Sequence, residues 1–165
     1  MKNKLVIGLG SNLGNRYAYL LMAIHQIEIA FRSKPVVAHF YETPPWGDEN
    51  QSKFLNTALY LSTQNSINAS FSILKNIEQE LGRTKTKRWG PRNIDLDILF
   101  YEKTIETTHD LSVPHVNLHK RAFVLVPLCD IIPHFVHPVL QKTMLELKEG
   151  IVDDTTLFSK STVAS

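Results

Sequence analysis

Five basic residues, Arg83, Lys85, Lys87, Arg88 and Arg92, stand in a stretch without an acid, and two carboxylates, Asp95 and Asp97, follow directly. Ile94, Leu96, Ile98 and Phe100 alternate with the two acids. That is the period of a half-buried strand, so both carboxylates leave one face. Two strand steps of about 3.3 Å set their Cβ atoms roughly 6–7 Å apart, within reach of a shared pair of hard cations. Basic side chains neutralise phosphate oxygens, Trp89 offers a cover for a base or a site mouth, and paired aspartates hold Mg²⁺ against a reacting phosphate. The pattern suits a metal–polyphosphate complex. Each half alone also suits a solvated basic loop or an edge strand with its polar side outward. Their succession favours chemistry, because two like charges on one strand face repel unless a cation or solvent relieves them.

The elements that must position this stretch come from a chain of 165 residues, enough for one domain with a full core. Residues 1–152 form that domain, and 153–165 are expected to be a flexible Ser/Thr-rich tail. Leu5 to Leu9 predicts a buried first strand, and Leu20, Ile24, Ile27 and Phe31 predict the inward stripe of a first helix. Val36 to Thr43 predicts a second strand that Pro44 and Pro45 stop. Phe54 to Ser62 predicts a third, with Leu55, Thr57, Leu59 and Leu61 on one face and Phe54, Asn56, Ala58 and Tyr60 on the other. A second helix from Ile67 to Leu81 ends at Gly82, and the Asp95/Asp97 strand follows. The order β-α-β-β-α-β predicts an α+β fold with a ferredoxin-like core: an antiparallel sheet with helices packed on it. Beyond it we expect a small hairpin over Lys103 to Leu111, broken helical turns from Asn117 to Pro127, a last helix from Leu140 to Lys148, and so a C-terminal extension of short helices.

Composition removes other classes. A formal net charge of +2 does not announce a nucleic-acid or membrane protein, and no segment is long enough to span a bilayer. One cysteine, Cys129, sits in an apolar run and fits a reducing cytoplasm. Gly8, Gly10 and Gly14 after a strand suggest a dinucleotide turn, but the spacing misses the fingerprint by one residue and no Walker lysine follows. What remains is a close backbone approach to a ligand. His115 and His119 have helical metal-ligand spacing, yet Val116 stands where a zinc-protease motif has its glutamate, and no third ligand is evident.

Gly10-Ser11-Asn12-Leu13-Gly14, Tyr41-Glu42-Thr43-Pro44-Pro45, Phe54-Leu55-Asn56, Gly90-Pro91-Arg92 with Asp95-Leu96-Asp97, and Val113-Pro114-His115 occur together and in order. From about Leu5 to Gly150 the chain resembles the 6-hydroxymethyl-7,8-dihydropterin pyrophosphokinases of folate biosynthesis. The resemblance implies transfer of pyrophosphate from ATP to the pterin's hydroxymethyl oxygen, with release of AMP, on a ferredoxin-like core. It implies two Mg²⁺ ions on Asp95 and Asp97, with Asp95 also at the pterin, and Arg83 and Arg92 as catalytic arginines. It places Glu78, Lys85, Trp89, Arg92, Ile98, Ser112, His115 and Arg121 around ATP. Thr43, Pro44, Pro45, Trp46, Phe54, Asn56 and Phe123 form the pterin slot. The partners are then two small molecules, with neither nucleic acid nor membrane, and the enzyme is expected to be a cytoplasmic monomer. Residues 46–52 and 83–92 are expected to close over the substrates, so ATP with Mg²⁺ should bind before the pterin.

Some positions depart from better-known members. Lys85 stands where arginine is common and gives a point charge instead of a bidentate fork. Asp110 stands near where a basic residue occurs, Val116 replaces an aromatic, and Trp46 is larger than the usual aliphatic residue. These bear on substrate affinity, not on the reaction. Two other functions fit the same residues: a ferredoxin-like RNA-binding module, whose sheet aromatics would stack bases, and a metal-dependent phosphohydrolase.

Overall fold

Strand β1 (Asn3–Ser11) lies between β4 (Phe54–Thr63) and β5 (Asp95–Tyr101) and pairs antiparallel with both. These are elements of a computed structural model that describes residues 1–45, 50–82 and 93–158. Beside β4 run two short strands, β2 (Val36–Val37) and β3 (Tyr41–Thr43), a separate hairpin pairs β6 (Glu106–Thr107) with β7 (Ser112–Val113), and β8 (Thr156–Leu157) pairs with β3. The sheet order is β5-β1-β4-β3-β8. If β2 and β3 are taken as one interrupted strand, the core order is fourth, first, third, second, with every neighbour antiparallel. That is the ferredoxin-like topology expected from the sequence.

Helices α1 (Arg16–Phe31) and α2 (Ile67–Glu80) cover one face of the sheet. Leu5, Ile7, Leu9, Leu55, Leu59, Leu61, Leu96 and Ile98 supply the strand side of that core. Asn15 caps α1 by accepting the Ala18 N–H, and Ser66 caps α2 by accepting that of Ala69. On α1 the buried stripe is Leu20, Ala23, Ile27 and Phe31, with Ile24 only partly covered.

The other face is divided along the strands. Val6, Ala58, Leu99 and Phe100 pack under α3 (Ala122–Ile131) and α4 (Met144–Glu149). Further along the same strands the outward positions are Gly8, Gly10, Asn56, Asp95 and Asp97, which line a cavity instead. The core on this side ends where the site begins.

Several expectations need correction. Phe100 does not share a face with Leu96 and Ile98. The β1–β5 register slips between Val6 and Ile7, so Leu99 is an extra residue and Leu99 and Phe100 both join the second core. This bulge breaks the period-2 alternation. The expected second strand is interrupted at residues 38–40. Residues 117–127 are not simply broken turns: after a 3-10 turn at Leu118–Lys120, α3 runs on through Pro127. Its apolar contacts outweigh the one helical hydrogen bond that Pro127 cannot make. The last helix starts later than expected because Thr143 and Glu146 form a reciprocal capping box. Finally, the region expected to be a loose tail contributes β8, and the Phe158 N–H donates to Phe40 O.

Candidate active site

Two adjoining cavities meet at β5: one lies on the second sheet face beside the turn before α3, the other off the β5 edge between α2 and residues 110–116. The first is walled by Phe54, Asn56 and Thr43 on one side and by Asp95, Asp97, Arg121 and Phe123 on the other, with Gly8 and Gly10 as its floor. The second is lined by Phe71, Lys75, Leu96, Ile98, Leu111 and Ser112. Asp97 and His115 belong to both. A ligand spanning the two cavities must pass these side chains.

Register explains why the floor is glycine. Gly10 lies opposite Asn56 on β4 and Asp95 on β5, and Gly8 lies opposite Ala58 and Asp97. A Cβ on Gly10 would stand 2.6 Å from Asn56 Oδ1, and one on Gly8 would stand 3.3 Å from Leu99 Cδ1. Glycine inside a strand weakens it, and here the missing side chains are the space of the site. Asn56 is 6% exposed, and its Nδ2 donates to Thr43 Oγ1 at 2.8 Å. That bond fixes the carboxamide, with its oxygen toward Gly10.

Asp95 and Asp97 share one face, as the alternation predicts. Burial and the Asp95 carboxylate push the Asp97 carboxyl up to about 7, while Lys75 and Arg121 oppose the shift. A proton or a cation is the remedy for such a pair. Arg121, 7% exposed, sets its guanidinium carbon 5.5 Å from the centre of the Phe123 ring. Burial lowers the Arg121 pKa, and Asp97 and Asp95 favour its charge.

His115 follows the cis peptide Val113–Pro114, and its backbone N–H donates to Leu99 O at 3.1 Å. The bulge residue therefore ties the histidine to the sheet. Burial, then the charge of Arg121, lowers the His115 pKa to about 4, so the ring is neutral near pH 7. Its Nδ1 accepts the Asn117 N–H at 3.4 Å, which leaves Nε2 as the protonated nitrogen and a donor.

Strand β5 is an edge of the sheet, so alternate backbone groups point away from β1. The Leu96 N–H donates to Glu78 Oε2 at 2.8 Å, and Lys75 Nζ donates to Leu96 O at 3.4 Å and pairs with Glu78 Oε1 at 3.0 Å. Ile98, two residues on, buries its side chain in the first core and lines the second cavity. Glu78 is 2% exposed and stands behind Lys75 rather than on the cavity wall. Pro44 lines the first cavity and Ser112 the second. Pro45 is half-buried and does not line the first cavity.

Trp46, Arg83, Lys85, Trp89 and Arg92 lie outside the described residues. The base of that basic stretch is nonetheless fixed, because Asn93 Nδ2 donates to Leu81 O at 2.8 Å and joins its two flanks. Sequence reasoning missed Lys75, Leu99 and Val124, and it read Gly8 and Gly10 only as a close backbone approach to a ligand of unspecified kind. The strand glycines carried a signal, as did Lys75 one helical turn before Glu78. Leu99 and Val124 carried none.

Residues 6–133 match the family described as 7,8-dihydro-6-hydroxymethylpterin-pyrophosphokinase (HPPK). The chain belongs to this family. The HPPK of Aquifex aeolicus, named 2-amino-4-hydroxy-6-hydroxymethyldihydropteridine pyrophosphokinase, is 41% identical over 142 residues, covering 86% of this chain and 88% of that one. The Bacillus subtilis protein of the same name is 42% identical over 134 residues, with 79% of each chain covered. Among solved structures, wild-type Plasmodium falciparum HPPK-DHPS aligns over 91% of this chain at a TM-score of 0.68 and 20% identity, a likeness of fold. This chain spans 41% of that longer one. Among the described residues no helix is long and apolar enough to cross a membrane.

Proposed function

We propose that this HPPK transfers pyrophosphate from ATP to the hydroxymethyl oxygen of 6-hydroxymethyl-7,8-dihydropterin and releases AMP, a step of folate synthesis. The observation that carries the proposal is the meeting of two unlike cavities at Asp97 and His115.

The first cavity suits a flat heterocycle. Phe54 and Phe123 offer ring faces, and Asn56 and Thr43 supply a fixed acceptor and hydroxyl for an amide and amino edge. The second cavity suits a purine. The strand-edge N–H and C=O of Ile98 match its donor–acceptor edge, Phe71 and Leu111 flank it, and Ser112 and Lys75 sit at the rim. A triphosphate leaving that cavity runs to the shared wall, where His115 Nε2–H and Arg121 meet its oxygens. By family resemblance Arg92, Arg83, Lys85 and Trp89 complete the phosphate side.

The donor set fits Mg²⁺. Among the described residues no three His, Cys, Asp or Glu side chains gather as a metal site. Two aspartates with the remaining ligands from phosphate and water are the usual Mg²⁺ arrangement at nucleotides. Two such ions on Asp95 and Asp97 would neutralise phosphate charge and acidify the hydroxymethyl group. The chain's own share is positioning: the pterin is held so that its oxygen faces the β-phosphorus, opposite the bond to the AMP oxygen.

Incubating the protein with Mg²⁺ and ATP, with and without the pterin, tests this. AMP should form only with the pterin present. ADP or inorganic pyrophosphate released without it would mark a phosphohydrolase instead.

A further inference from the structure

The Gly10–Gly14 turn contains a buried polar side chain that neither cavity uses. Asn12 is 3% exposed. Its Nδ2 donates to Gln51 Oε1 at 2.7 Å and to Ser52 O at 3.1 Å. One helical turn on, Arg16 Nη1 donates to Lys53 O at 3.0 Å, and its Nη2 reaches Glu42 Oε2 at 2.8 Å. Gln51, Ser52 and Lys53 are thus all held from the turn after β1 and the start of α1. The next residue is Phe54.

The ladder shows why such a hold is needed. The β1–β4 register ends at the pair Ser11 and Leu55, so Phe54 has no rung on its β1 side. On its other side it pairs with Thr43 at the end of β3. The Asn12 carboxamide stands one residue beyond the last rung and supplies one hydrogen bond to the backbone entering β4, at Ser52 O, and a second to the Gln51 side chain. A ring that must stack on a ligand needs its backbone fixed, since small displacements of a binding group cost affinity.

We propose that Asn12 is a positioning residue for the pterin slot and acts through residues 51–53 on Phe54. It touches neither substrate, and the assignment rests on the pterin reading of the first cavity. Asn12→Asp keeps the shape of the side chain but removes both amide donors and turns a carboxylate toward two acceptor oxygens. Calorimetry with Mg²⁺ and a non-hydrolysable ATP analogue reads the consequence. The pterin Kd should rise by about tenfold or more, while the Kd of the nucleotide complex, measured without pterin, stays within about twofold. In turnover, the pterin KM should rise more than kcat falls. Pairing Asn12→Asp with Gln51→Lys restores a donor–acceptor contact with its polarity reversed and should recover part of the pterin affinity. Gln51→Met, at a half-buried position, should weaken pterin binding less than Asn12→Asp and in the same direction, and does not depend on that variant folding. Equal weakening of both ligands, an unmoved pterin Kd in Asn12→Asp, or no recovery in the double variant would overturn the assignment alone. Failure of the unaltered chain to bind the pterin would overturn the functional reading and this assignment together.

Discussion

Asp97 combines burial, a neighbouring carboxylate and a place on the wall common to both cavities. With its carboxyl pushed up to about 7, above the usual range, the folded metal-free protein holds a proton that the unfolded chain gives up at much lower pH. The stability from this group is complete below about pH 4 and lost as the pH rises to about 7. A bound cation replaces the proton, so excess Mg²⁺ should raise the melting temperature more near pH 8 than near pH 6; equal shifts would contradict the assignment. Asp97→Asn removes one charge and the repulsion with it. We expect AMP formation to fall by roughly 10² to 10³ while the melting temperature of the metal-free protein holds or rises. Full activity in that variant would show that the carboxylate has no part in the reaction. The Asp pair was legible from the sequence because strand alternation alone puts both acids on one face. Glu78 was less so: its position matched a nucleotide contact, yet it is 2% exposed and bonded to Leu96 and Lys75. Helical spacing brings Lys75 and Glu78 together without saying which of them reaches the cavity.

Among the elements, three adjacent strands carry the site by position. On β1, β4 and β5 the same face passes from packed side chains to glycine, asparagine and aspartate. Gly10 is the sharpest point of that transition. Gly10→Ala would drive a methyl to within 2.6 Å of Asn56 Oδ1 and swing the carboxamide off Thr43. Pterin affinity should fall by about tenfold or more, with a smaller change for nucleotide. Unchanged pterin binding would mean that Asn56 does not read the ligand. Alternation revealed which residues of β4 face the site. It failed on β5 beyond Ile98, since a bulge depends on the partner strand and leaves no mark in the period. The Leu99 bulge also reaches the site: its carbonyl holds the backbone N–H of His115, the side chain that we assign to the phosphates. The capping box of α4 was written in Thr143 and Glu146, and the expected start at Leu140 overlooked it.

For the whole molecule, element order alone gave the ferredoxin-like core, because a β-α-β-β-α-β chain has few ways to form one sheet. Sequence order could not show that residues 156–157 return to the edge of β3, since a two-residue strand has no periodicity to detect. Nor could it show that the sheet face opposite α1 and α2 is split between a second core under α3 and the first cavity, with the second cavity at the β5 edge beside α2. One end of that face is packed, and the other opens on the Asp95/Asp97 pair, where the two cavities that we assign to pterin and nucleotide adjoin. The most direct measurement is a crystal structure with Mg²⁺, a non-hydrolysable ATP analogue and the pterin. The account predicts cations at about 2.0–2.1 Å from oxygens of Asp95 and Asp97, with the pterin ring between Phe54 and Phe123. Cations bound elsewhere, or a pterin remote from Phe54 and Phe123, would contradict it.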